Sequence, residues 1–210
     1  MTSQRRPEET RESILSAALA GFAESGYEAM GVAEICQRAG VTKGAFYHYF
    51  PSKQAVFLEL LRRWLAELDG QLELARSAAQ SVPEQFAHMA ARFRHVLESA
   101  DGSLPFFIEF MIEARRDPVV WQATIAPYRE YCSAFAALIR QGVAEGTLTA
   151  PDPDTAGRVI VSLAVGLLLQ ALIEPSEVDW GRVAEEGVRT LLGGMGAPAG
   201  AERSARVAEG

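Results

Sequence analysis

Apolar residues recur at intervals of three and four over most of the chain, and no alternating β-branched run is present. This spacing predicts amphipathic helices and no strands. The first helix is expected to begin at Pro7, to bury a stripe from Ile14 to Phe22, and to end at Gly26 as a C-terminal cap. The pattern therefore predicts an all-α fold.

Two short helices are predicted next, with a glycine turn between them. The first runs from about Val32 to Arg38, and Gly40 supplies the left-handed turn residue. The second starts at Thr42, a natural N-cap, and ends at Phe50, and Ser52 is expected to cap the helix that follows. The remaining helices are expected at Lys53–Ala78, Glu84–Ser99, Leu104–Arg115, Pro118–Glu145, Pro153–Ile173 and Val178–Leu192, with Gly, Pro and Asp breakers between them.

Three regions follow from this order of elements. Residues 1–52 are predicted to form a three-helix domain with helix-turn-helix geometry, and residues 53–192 a larger helical domain. Residues 193–210 are rich in Gly, Ala and Pro without an apolar period, which predicts a disordered tail.

The charge distribution changes the picture that the net charge gives. The 210 residues carry a formal charge of −7, which by itself argues against a nucleic-acid partner. Between Ile35 and Leu58, however, there is no Asp or Glu, and Arg38, Lys43 and Lys53 make this window basic. A basic face on an acidic body can hold a phosphate backbone at one end.

The predicted third helix has two different faces. Its inward face is expected to carry the aromatic residues spaced at three and four, which are Phe46, Tyr49 and Phe50. Lys43, Tyr47 and His48 then point outward, where they suit phosphates and base edges. A plain helical hairpin with an aromatic core explains the inward face equally well, but it leaves the two outward rings without a role.

Small and capping residues favour entry of this helix into a DNA groove. Gly44 and Ala45 leave room for the helix start in a major groove, and Ala45 can touch a thymine methyl group. Thr42 and Lys53 lie at helix N-termini, where backbone N–H groups favour phosphate.

The segment from Gly26 to Lys53 closely resembles the DNA-binding domain of the TetR family of repressors. The matching residues are Ile35, Ala39-Gly40-Val41-Thr42-Lys43-Gly44, Phe46-Tyr47-His48-Tyr49-Phe50, Ser52 and Lys53. The chain departs from the family pattern at Met30-Gly31, where a hydroxyl residue is usual, and at Cys36, where alanine is common. The resemblance implies a DNA-facing set that comprises Thr42, Lys43, Gly44, Ala45, Tyr47, His48 and Lys53.

The resemblance also implies a regulator, most simply a repressor, that binds a palindromic double-stranded DNA operator and is released by a small-molecule effector. Aromatic and Met-rich linings suit an apolar or aromatic effector. Plain core packing is the alternative for each of the candidate ligand-binding residues, which are Trp64, Met89, Phe93, Phe107, Phe110, Met111, Trp121 and Tyr128.

The last two helices are predicted to form a homodimer interface. The run from Val159 to Ile173 is apolar nearly all round, so both of its faces must be covered, and it is too short to span a bilayer. Two such helices from each subunit would make a four-helix interface, although a core pair within one chain remains the alternative. The candidate interface residues are Ala164, Leu167, Leu168, Trp180, Val183, Val188 and Leu191.

No enzyme motif, catalytic constellation or metal-ligand spacing is present, so no cofactor is expected. Cys36 and Cys132 are far apart and are expected to be small buried side chains in a reducing cytoplasm. Two alternatives remain open at this point: a transcriptional activator of the same fold, and a helical interaction module that does not bind DNA.

Overall fold

The computed structural model describes residues 7–99, 114–115, 117–150 and 152–195. Within these ranges all regular structure is helical, which confirms the all-α prediction. The helices are α1 (Pro7–Ser25), α2 (Val32–Ala39), α3 (Lys43–Tyr49), α4 (Lys53–Ser77), α5 (Val82–Ala91), α6 (Phe93–Ser99), α7 (Pro118–Ala144), α8 (Pro153–Ile173) and α9 (Trp180–Gly194).

Local capping signals place the ends of the first four helices where the sequence predicts them. Gly26 and Gly40 adopt left-handed backbone angles, with φ of 82° and 65°, immediately after α1 and α2. The Thr42 hydroxyl accepts a hydrogen bond from the backbone N–H three residues on at 3.1 Å, and the Ser52 hydroxyl does the same at 3.1 Å. These two side chains are the N-caps of α3 and α4.

The predicted helix over residues 84–99 is in fact two helices, α5 and α6, which meet at Arg92. The Arg92 backbone N–H lies 3.2 Å from the carbonyl oxygens of both His88 and Met89, and its side chain donates to Gln71 on α4 at 2.8 Å. The spacing of apolar residues continues across the break, so the sequence pattern does not reveal this tertiary hydrogen bond.

Two other predictions fall largely outside the described residues. The helix predicted over 104–115 does so except for its last two residues, and the predicted tail does so from residue 196 onward. The described part of that tail is different from the prediction, because α9 continues through Gly194.

The chain divides into two compact units. The head unit comprises residues 1–67 and 99–127, and the C-terminal unit comprises residues 68–98 and 128–210. Helices α4 and α7 contribute residues to both units.

The core of the head unit is built from the apolar faces of α1 to α4. Phe22, Phe46 and Phe57 are each at most 1% exposed, and together with Ile14 and Met30 they fill the space between the helices. Burial of side chains of this size is the main stabilising contribution to a small helical domain. The predicted inward positions of α1 are confirmed as core positions except for Leu19, which is 36% exposed, and those of α3 except for Tyr49, which is half-buried.

The C-terminal unit has two buried clusters. One is centred on Phe86 of α5 and Ile139 of α7, and the other on Phe93, Leu167 and Trp180. Both cysteines of the chain are buried, as predicted, and they form no disulfide with each other.

Helix α8 approaches α7 closely at Gly157. A Cβ atom at this position would lie 2.7 Å from the backbone nitrogen of Ala136 and 2.9 Å from the carbonyl oxygen of Cys132. Only glycine permits this backbone-to-backbone approach, so Gly157 sets the distance between the two helices.

Candidate nucleic-acid interface

Helix α3 presents one buried and one exposed face, as the sequence predicts. Phe46 is 0% exposed and Phe50 is 4% exposed, whereas the Tyr47 side chain between them is 54% exposed. Lys43 and His48 are also exposed, and Tyr49 is half-buried against the head core. The outward face therefore carries a cation and two hydrogen-bonding rings, and the buried aromatic side chains of the opposite face anchor it to the core.

The start of α3 is open to an approaching ligand. Thr42 and Gly44 are exposed, and Ala45 is half-buried. Around a Cβ added at Gly44, the nearest atom would be the Thr42 hydroxyl at 3.8 Å. A ligand can therefore come close to the backbone N–H groups at the N-terminus of α3, as contact with a phosphate requires.

Arg38 is not available as a free positive charge. Its guanidinium donates to Glu24 at 2.6 Å and to Glu34 at 2.8 Å, and these hydrogen bonds raise the pKa of Arg38. Glu34 immediately precedes the acid-free stretch and Glu24 lies further upstream, so counting charges in that stretch overstates the positive charge of the surface.

The Lys53 ammonium group is engaged within the chain. Its Nζ donates to the carbonyl oxygen of Tyr27 at 2.7 Å and lies 4.1 Å from the centre of the Tyr27 ring. Tyr27 is 4% exposed and packs edge-on against Phe57. Lys53 thus ties the N-terminus of α4 to the α1–α2 turn, while Lys43 makes no ion pair within the described residues and stays exposed.

An ion cluster between α1 and α4 was not predicted from the sequence. This α1–α4 ion cluster comprises Arg11, Glu12, Glu59, Arg62 and Arg63. Glu59 accepts from Arg62 at 2.8 Å, from Arg11 at 2.8 Å and from Arg63 at 3.1 Å, while Arg63 also donates to Glu12 at 2.6 Å. Hydrogen bonds from Arg62, followed by those from Arg11 and Arg63, hold the pKa of Glu59 far below its usual range.

The candidate effector-binding residues do not form one group in the described structure. Trp64 and Trp121 are half-buried against the core of the head unit. In the C-terminal unit, Met89 packs against the Phe86 cluster, Phe93 is buried with Leu167 and Trp180, and Tyr128 is half-buried. Three further candidates lie outside the described residues: Phe107, Phe110 and Met111.

The candidate interface residues divide between the inside and the outside of the C-terminal unit. Leu167 and Trp180 are 4% and 8% exposed and belong to the chain's own core, against which Leu168 also packs. Val183 is 38% exposed. The partly covered candidates are Ala164, Val188 and Leu191, of which the last two pack against the Phe86 cluster.

A different set of apolar residues is left uncovered on α8. We call it the α8 apolar face, and it comprises Val159, Val165, Leu169 and Ile173, with exposed fractions of 43%, 43%, 40% and 81%. Only 28% of the most apolar 18-residue window of α8 is buried. The sequence predicts that this run is too short to cross a membrane, but the helix has 21 residues and would be long enough by length and composition alone.

A groove between α8 and α9 borders the α8 apolar face. It is lined by Val159 and Leu163 from α8 and by Val183 and Leu191 from α9. Charged side chains from α9, including Arg182 and Glu186, also line it. An apolar surface bordered by charged groups is typical of a protein–protein interaction site.

Sequence comparisons match most of the chain to known regulators. Residues 14–60 match bacterial regulatory proteins of the tetR family, and residues 98–195 match the C-terminal domain of BetI-type transcriptional repressors. The HTH-type transcriptional regulator UidR of Escherichia coli strain K12 is 26% identical over 195 residues, which cover 91% of this chain and 95% of UidR.

Solved structures show the same fold. The reduced form of E. coli NemR has a TM-score of 0.69 at 25% identity, covering 90% of this chain and all of NemR. A complex of SmeT with triclosan has a TM-score of 0.68 at 26% identity, covering 85% of this chain and 89% of SmeT.

The matched segment 14–60 contains the whole of α2 and α3. The match to regulators also answers the question of enzyme activity, because proteins of this family regulate transcription and are not enzymes. This chain is therefore a member of the TetR family of DNA-binding transcription regulators.

Proposed function

We propose that the protein is a cytoplasmic repressor that binds a palindromic operator as a homodimer and releases it when a small apolar or aromatic effector binds. The observation that carries the DNA-binding part is the outward face of α3, with Lys43, Tyr47 and His48 exposed above buried Phe46 and Phe50. The match of residues 98–195 to BetI-type repressors supports the sign of regulation.

Lys43 is the residue whose charge is best placed to meet a phosphate. It lies at the first position of α3, next to exposed backbone at Thr42 and Gly44, and it makes no ion pair among the described residues. Each neutralised phosphate releases counterions, so its contribution is measured by the salt dependence of binding.

Replacing Lys43 with alanine should weaken binding and also flatten its salt dependence. With an operator selected from random DNA by the wild-type protein, we expect the slope of log K against log salt to fall by about 0.9 per subunit, or roughly 2 per dimer. Fluorescence anisotropy at several salt concentrations measures both quantities. Arg76→Ala, which removes an exposed cation from α4, is the matched control and should leave the slope unchanged. An unchanged slope for Lys43→Ala would contradict the phosphate contact.

The dimer is supported by the uncovered apolar surface of the C-terminal unit. The α8 apolar face and the neighbouring groove expose Val165, Leu169, Ile173 and Val183 to water in the single chain. A second copy placed by a two-fold axis would cover the same surface on both subunits. Helix-turn-helix dimers reach two half-sites about one DNA turn apart, which one subunit does not do.

The effector class is supported by the comparisons more than by the arrangement of candidate residues. One similar structure, SmeT, is a complex with triclosan, which is an aromatic compound. The candidate effector-binding residues of this chain are apolar or aromatic, and residues 98–195 match a regulator's C-terminal domain. An apolar pocket with a few polar groups is the usual form of such a site.

Effector binding should change tryptophan fluorescence and operator affinity together. Trp64 and Trp121 are half-buried, so a bound compound should quench their fluorescence. The same compound should weaken operator binding in parallel, by roughly 5- to 150-fold for a typical coupling free energy. A Trp180→Phe variant removes the third tryptophan and should keep both responses. A compound that quenches the head-unit tryptophans at saturation while operator affinity stays constant would rule out this mechanism of release.

A further inference from the structure

The C-terminal end of α3 is contacted by a side chain from α1. Phe50 caps the C-terminus of α3, is 4% exposed, and packs 6.2 Å from the ring of Phe46. The guanidinium of Arg11, on α1, lies 5.2 Å from the centre of the Phe50 ring. This contact is a cation–π interaction, in which the guanidinium is attracted to the face of the ring.

Arg11 is itself held by α4. Its Nη2 atom donates a hydrogen bond to the Oε1 atom of Glu59 at 2.8 Å. The Glu59 side chain is only 13% exposed, and it receives two further guanidinium groups, from Arg62 and Arg63. Arg63 also pairs with Glu12 on α1, and Arg11 lies 3.8 Å from the same carboxylate, so α1 and α4 are joined by one connected cluster of ion pairs.

This chain of contacts matters for a helix as short as α3. With seven residues, α3 has two turns and few hydrogen bonds of its own, so contacts at its ends fix its direction. Its N-terminus is fixed by the Thr42 cap, and its C-terminus by Phe50 beneath Arg11. A shift of Arg11 would therefore remove one of the contacts that hold the C-terminal end of α3.

We propose that Glu59 is a positioning residue for operator binding, because it holds Arg11 over Phe50 and so fixes the angle at which α3 enters the DNA. In this role Glu59 touches no DNA and acts only through Arg11. The inference rests on the proposed binding of DNA through α3, and it adds a residue from α4 to the machinery of recognition.

The sign of the effect separates positioning from simple electrostatics. Glu59→Gln removes a negative charge from a protein that binds a polyanion, so electrostatics alone predicts tighter binding. Positioning predicts weaker binding, by roughly 2- to 30-fold, the range typical of residues that modulate affinity without contact. Glu67→Gln, two turns further along α4 and exposed, is the matched control and should bind as tightly as the wild type or more tightly.

A double-mutant cycle tests whether the effect passes through Arg11. Operator affinity is measured for Glu59→Gln, for Arg11→Met, which keeps an apolar stem, and for both together. We expect the Glu59 substitution to have no further effect in the Arg11→Met background, since interacting residues are not additive. The salt slope of Glu59→Gln should equal that of the wild type, because no phosphate contact is lost.

Three results would overturn the proposal: unchanged or tighter binding by Glu59→Gln, additive effects in the cycle, or a reduced salt slope. If circular dichroism shows that Glu59→Gln is unfolded, Glu59→Asp takes its place, because it keeps the charge but withdraws it from Arg11, and the same weaker binding is expected. Failure of the wild-type protein to select any DNA would instead contradict the proposed function.

Discussion

A Leu169→Asp substitution is expected to separate the two subunits and to abolish specific operator binding. Leu169 lies in the middle of the α8 apolar face, with Val165 and Ile173 one turn away on either side. In a two-fold interface the new carboxylate would be buried twice and without a partner, which costs several kcal/mol. Loss of the second half-site would reduce binding toward the non-specific level, a decrease of roughly 10³-fold or more.

Sedimentation velocity at micromolar concentration and operator titration measure the two consequences. The matched control is Leu74→Asp on α4, since Leu74 is 52% exposed and lies outside the α8 apolar face. The control should remain a dimer and bind the operator. A wild-type protein that sediments as a monomer would contradict the dimer, and a Leu169→Asp protein that stays dimeric and bound would show that the interface lies elsewhere.

Two adjacent aromatic residues of α3 should respond in opposite ways to replacement by alanine. Phe46 is 0% exposed, and Phe46→Ala should cost about 3–5 kcal/mol of unfolding free energy through the cavity that it leaves. That is a large fraction of the roughly 5–15 kcal/mol that stabilises a typical domain. Tyr47 is 54% exposed, so Tyr47→Ala should lose only its edge contact with Phe46, about 1 kcal/mol or less.

Tyr47→Ala should affect operator affinity much more than it affects stability. Tyr47→Ala should weaken binding by about 1–3 kcal/mol while its melting curve stays close to that of the wild type. Phe46→Ala should melt at a much lower temperature, and it serves as the reference for loss of binding through unfolding. The assignment of faces fails if Tyr47→Ala binds normally or if Phe46→Ala melts like the wild type.

The sequence determined the local architecture of the head unit because the signals there are short-range. A glycine immediately after a helix, or a hydroxyl residue immediately before it, decides the helix end without help from the rest of the chain. Gly26, Gly40, Thr42 and Ser52 act in this way, and the structure confirms each of them. The same local period assigned Phe46 to the core and Tyr47 to the surface.

The tertiary structure decided which charges are available. Arg38 and Lys53 look alike in the sequence, yet Arg38 is neutralised by Glu24 and Lys53 is bound to the carbonyl oxygen of Tyr27. Glu59 has two arginines within four residues, but its contact with Arg11 on α1 depends on how the helices cross. A charge interacts with whatever lies within a few ångströms, and those neighbours are far away along the chain.

Tertiary structure also decided which face of α8 is covered. A helix that is apolar nearly all round has no period that could distinguish the inside from the outside. The sequence therefore shows only that α8 must be covered, and it predicts an interface that includes Leu167. In the folded chain Leu167 is buried beside Phe93 and Trp180, while Leu169 is left exposed. Two residues correspond to roughly 200° of rotation around a helix, so these two side chains point to nearly opposite sides of α8.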